Sequence, residues 1–198
     1  MAFDITPTTW QLWCLATLAL LMVMVVDSDV RESRIPNVLV LLILCAGFSL
    51  NVFGPANGRE GLLSHFPGAL GAGRALFGAL LGFALLLPFY MFHAMGAGDI
   101  KLMSALGIFV GPVEVIGLVL FVLMAGGVLA VVRMVLRGNS RWVLGNVKLV
   151  LSGLTGGTKR FDPATQSADR MPYALAFAGG LGVYAYWRLS GGAPLIAF

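Results

Sequence analysis

Charge is scarce in this chain. Asp, Glu, Lys and Arg make up 11% of the 198 residues, against 59% hydrophobic, and the mean hydropathy is +0.91. Soluble domains carry about 25% charged residues, so a water-facing surface over most of the length is excluded. Cysteine and histidine are scarcer still, two of each. Cys14 and Cys45 lie inside apolar runs, without a CxxC pair or a Cys/His cluster. A zinc site and a disulfide framework therefore have no support, and both cysteines read as small buried hydrophobes. No basic segment precedes the first apolar run, and such runs recur along the chain, so a cleaved signal peptide does not account for them.

What is present is a series of long apolar segments, and they make this an all-α integral membrane protein. Spans are expected near 10–26, 35–53, 74–95, 99–110, 113–136 and 171–187, a bundle of about six transmembrane helices forming a single domain over 1–198. The first is WQLWCLATLALLMVMVV, ended by the charged stretch DSDVRESR; the fourth ends at Gly111-Pro112, where proline starts a helix but cannot continue one. Residues 137–170 change character, being basic and rich in Gly, Ser and Thr. WVLGNVKLVLSGL within them is too short and interrupted to span, and is expected along the interface or against the bundle. No internal repeat is visible.

Basic residues near the span ends set the orientation. With the N-terminus outside, Arg31, Arg34, Lys101, Arg133, Arg137, Arg141, Lys148, Lys159, Arg160 and Arg170 are cytoplasmic. Only Arg59, Arg74 and Arg188 fall on the far side. This asymmetry explains the net charge of +4 without a nucleic-acid partner. The other acids, Glu114 among them, are assigned to outward-facing loops apart from Glu32, Asp162 and Asp169, while Asp27, Asp29 and Asp99 meet at the cytoplasmic face.

An ionisable group within a span costs about 2.5–3.5 kcal/mol, so Asp99 needs a reason to be there. Helix N-terminal capping is one. Gly96 and Gly98 suggest another, because glycines before an acid allow positive φ and close backbone approach, aiming the carboxylate inward. Hydrolysis of a peptide by acids alone needs a second carboxylate sharing a proton with the first, one serving as acid and the other as base. Asp27 and Asp29 are the candidates. Residues two apart lie about 200° around a helix, so only one faces the interior, and spacing alone does not choose.

Two separated motifs resemble those of the type IV prepilin peptidases, polytopic aspartic proteases of the GxGD class. Asp29-Val-Arg-Glu-Ser-Arg-Ile-Pro36-Asn37 resembles the D-x6-P-[ND] pattern of that family, and Gly96-Ala-Gly98-Asp99-Ile-Lys101-Leu102 resembles its GxGDxKL. Met171-Pro172-Tyr173-Ala174 is similar to the opening of its last helix. The resemblance implies that Asp29 and Asp99 are the catalytic pair, with Gly96 and Gly98 forming the active-site turn. Asp27, Pro36, Asn37, Lys101, Pro172 and Tyr173 would support the pair. It further implies removal of a short basic prepilin leader at the cytoplasmic face of the inner membrane, with no metal or other cofactor. The partners would be a prepilin with a hydrophobic helix, the lipid bilayer and the pilus assembly machinery. Longer members carry an N-terminal domain with paired CxxC motifs; only MAFDITPTT precedes the first span here, so N-methyltransferase activity is not expected. The short chain is most similar to the subgroup serving tight-adherence or Flp-type pili, with archaeal preflagellin peptidases of similar size. Two other classes compete: a small ion-coupled transporter, which would hold its acids deep in the bilayer and often in repeated halves, and a catalytically silent secretion scaffold.

Overall fold

A computed structural model describes residues 6–32, 34–55, 61–64, 66–92, 95–136 and 173–195. Among them are six α-helices: α1 (Pro7–Glu32), α2 (Asn37–Phe53), α3 (Gly71–Met91), α4 (Ala97–Val110), α5 (Pro112–Leu136) and α6 (Ala174–Leu189). The only bridging between extended residues in the described part is an isolated Gly61–Gly68 pair. The expected basic loop 137–170, its WVLGNVKLVLSGL segment, and Pro172 lie outside the described residues.

Helix α4 is the axis of the bundle. Ten of its 14 residues are buried, on every side, as expected of a helix that is apolar all round and surrounded by protein. It packs chiefly on α3 and α2, while α5 packs on α6 and α3, and α1 on α2 and α6. Close approach of α3 and α4 depends on glycine. A Cβ on Gly78 would run into the Gly107 carbonyl, one on Gly107 into the Gly78 carbonyl, and one on Gly82 would lie 2.9 Å from the Met103 carbonyl oxygen. This is the small-residue packing that substitutes for a hydrophobic driving force in lipid. Gly180 packs α6 against α5 in the same way, since a Cβ there would meet the Val122 backbone at 2.6 Å. Buried Asn51 stitches α2 to its surroundings: Nδ2 donates to Gly47 O (3.0 Å) and Ile108 O (2.9 Å), and Oδ1 accepts from Leu70 N–H (3.1 Å).

Large apolar side chains also stand on the outer surface of the described helices. Leu12, Trp13, Leu20, Leu41, Phe77, Leu80, Val128 and Val135 are all exposed, which only a lipid environment tolerates on this scale. Helices α1, α3 and α5 are long and apolar enough to cross a membrane, and α2 is a shorter apolar helix. About six spans were expected, the fourth of them short; α2, α4 and α6, with 17, 14 and 16 residues, fall below the usual spanning length.

Several boundaries differ from expectation. The charged stretch after Val26 does not end α1, which continues to Glu32. An Asp27–Arg31 ion pair one turn apart supports the extra helix, and Arg31 complements its C-terminal dipole. Helix α3 starts earlier and stops at Met91, entered through Gly71 at φ 76°. The α4–α5 junction is as read: Gly111 adopts φ 86° and Pro112 opens α5. Cys14 is buried as expected, but Cys45 is exposed.

Glu114 and Arg188, assigned to outward loops, are both buried. Tyr184 Oη donates to Glu114 Oε2 at 2.5 Å, and Arg188 Nε donates to both carboxylate oxygens, at 3.0 and 2.9 Å. Arg188 Nη2 pairs with Oε1, and Nη1 donates to Gly192 O. The network joins the start of α5 to the end of α6, at the opposite end of the bundle from Asp99.

Candidate active site

Helix α1 buries Trp10, Cys14, Leu18, Met22, Val25 and Asp29. The steps of three and four residues define one face, and Asp29 is its last member, only 7% exposed. Asp27 points elsewhere: its side chain is 56% exposed and Oδ1 accepts from Arg31 Nε at 2.7 Å. Of the two acids, Asp29 is therefore the one facing the interior. Its Oδ2 accepts the Ala174 N–H at 2.9 Å, satisfying one of the unpaired donors that open α6.

Asp99 stands in the first turn of α4 and is also 7% exposed. Its Oδ2 accepts the Gly96 N–H at 3.0 Å, while its own N–H donates to Gly96 O at 3.2 Å. The expectation of positive φ at the two glycines does not hold. Gly96 is extended (φ −77°, ψ 155°), and Gly98 lies within the helix. A reciprocal turn around Asp99 needs no left-handed residue; it needs space. A Cβ on Gly96 would sit 3.3 Å from Asp99 Oδ2, and one on Gly98 would sit 3.4 Å from Ile35 Cβ. Through Ile35 the DVRESRIPN turn lies against the GAGD turn, bringing the two motifs into contact.

The Asp29 and Asp99 carboxylates are near enough to interact electrostatically, and half-buried Tyr173 is near enough to feel the Asp99 charge. Lys101 Nζ donates to Asn37 Oδ1 at 3.1 Å, linking the start of α2 to the second turn of α4. Pro36 (φ −62°, ψ 133°) precedes α2, and its carbonyl accepts from Leu39 N–H at 3.1 Å. Asp29, Asp99, Gly96, Gly98, Pro36, Asn37, Lys101 and Tyr173 thus gather at one end, with Asp27 on the outer face beside them. The partner that sequence reasoning missed is the Ala174 N–H. As a main-chain donor it has no side-chain signature, and its only sign is the start of a helix after Met-Pro-Tyr.

Two buried carboxylates from separate helices, each accepting a backbone N–H, lie at one end of an apolar helical bundle of the kind that sits in a membrane. The type IV leader peptidase family matches residues 14–131, more than half of the chain and both aspartates. The chain belongs to that family. No curated protein and no solved structure matches it.

Proposed function

We propose that the protein is a membrane-embedded aspartic endopeptidase that removes the short basic leader of prepilins, with Flp-type pilins as the substrate class. The observation that carries this reading is the burial of Asp29 and Asp99 at one end of the bundle, near enough to interact. Like charges so placed favour a state in which the pair holds one proton. The ionised carboxylate removes a proton from water as it adds to the scissile carbonyl, while the protonated one donates to the carbonyl oxygen. Collapse of the tetrahedral adduct breaks the C–N bond, and a carboxyl proton passes to the departing amine. The Ala174 and Gly96 N–H groups hold the carboxylates in place.

The site end is proposed to face the cytoplasm, with the N-terminus outside. Arg31, Arg34, Lys101 and Arg133 cluster at that end of the described helices, as the positive-inside rule asks. The placement of both acids at helix ends, rather than at mid-span, favours hydrolysis over an ion-coupled carrier. The test is co-expression with a candidate Flp-type prepilin, following leader removal by gel shift. Wild type and Asp27→Asn should shorten the pilin; Asp29→Asn and Asp99→Asn should not. Processing by both of the latter variants would end the reading.

A further inference from the structure

A furrow of about 720 Å³ separates α1 from α6. Leu18, Met22 and Val26 form one wall; Ala178, Gly182 and Ala185 form the other. The small residues recur at i, i+4 and i+7 and share one helix face, and a Cβ on Gly182 would meet nothing within 4 Å. Such a wall lets another helix approach closely in lipid. Along α1 the lining runs from Leu15 to Val30, a length of about 22 Å, most of the hydrocarbon thickness a spanning helix occupies.

One end of the furrow lies beside Asp29. Its lining residues Val30 and Leu175 are the chain neighbours of Asp29 and Ala174, the two groups joined by the hydrogen bond at the site, and Asp27, the one charged residue among the described lining, marks the same end. We infer that this furrow is the docking surface for the apolar helix of the substrate, seated between α1 and α6 so that the chain emerging from it passes Asp29. The inference rests on the peptidase reading above and adds the surface that recognises the substrate. The position of this end beside the Asp29–Ala174 hydrogen bond favours the substrate over a lipid, which has no peptide bond to present there.

Two arms test it. In proteoliposomes, Gly182→Leu should raise KM for a full prepilin by about tenfold or more, as loss of ground-state binding does. The same variant should cleave a leader-junction peptide lacking the apolar helix at the wild-type rate. Val183→Phe, on the exposed face of the same helix, should leave both substrates unaffected. In the second arm a photo-crosslinking residue replaces Val23, an exposed lining position, in an Asp99→Asn background. Crosslinks to the apolar segment of the prepilin are expected. Crosslinks to lipid or to residues 137–170, or wild-type KM for the full prepilin with Gly182→Leu, would overturn the docking assignment. If the wild type leaves the leader intact, the peptidase reading falls on its own, while the crosslinking arm still decides the furrow.

Discussion

Asp27 and Asp29 are two residues apart and chemically alike, yet only one is enclosed by the bundle. Asp27 spends its charge on Arg31 at the surface, where such a pair contributes about 0.3–0.5 kcal/mol. Asp27→Asn should leave leader cleavage within about twofold of wild type, the change that such a free energy allows. At Asp99 the demand is positional. Gly96→Ala would place a methyl group 3.3 Å from the carboxylate oxygen, forcing a shift of a few tenths of an ångström. It should lower kcat by about tenfold with little change in KM, read by steady-state cleavage of a leader-junction peptide. The choice between Asp27 and Asp29 was open in residue spacing and closed by the motif resemblance. The physical reason is that α1 is apolar on its lipid face as well as its core face, so periodicity does not say which face is inside. The glycine conformations were misread for a related reason: GxG fits both a left-handed turn and a close approach, and residue type alone does not separate them.

Among the elements, the Glu114–Arg188–Tyr184 network fastens α5 to α6 at the end remote from the acids. Helix α6 presents the Ala174 N–H to Asp29 at its other end, so the clasp helps to hold the helix that positions one carboxylate. Breaking one half of a buried ion pair costs about 3–5 kcal/mol, whereas replacing both halves with apolar residues is often neutral. Arg188→Met should therefore lower the thermal unfolding midpoint in detergent sharply, and Glu114→Leu/Arg188→Met should recover most of the loss. Sequence reading missed this network because an acid just after a helix-opening proline looks the same whether it meets water or an arginine. Between α3 and α4, Gly78→Leu should prevent the backbone contact with Gly107 and abolish accumulation of folded protein, measured by monodisperse recovery from membranes.

For the whole molecule, the helix order and the Gly111-Pro112 break were legible, since each apolar run is bounded by charge, glycine or proline. The central burial of α4 was not, because a short apolar helix surrounded by protein has the same composition as one facing lipid. The orientation is tested by cysteine accessibility in sealed vesicles: a cysteine at Arg34 should react only from the cytoplasmic side, and one at Arg74 only from the opposite side. The central claim is that Asp29 and Asp99, carried by different helices, act as one proton-sharing unit. Its most direct measurement is single-turnover leader cleavage in proteoliposomes by wild type, Asp29→Asn, Asp99→Asn and the double variant. Each single substitution is expected to cost about 10²–10⁴-fold, and the double no more than the worse single, as groups acting as a unit behave. Losses that multiply in the double variant, or near-wild-type cleavage by either single variant, would contradict the shared site.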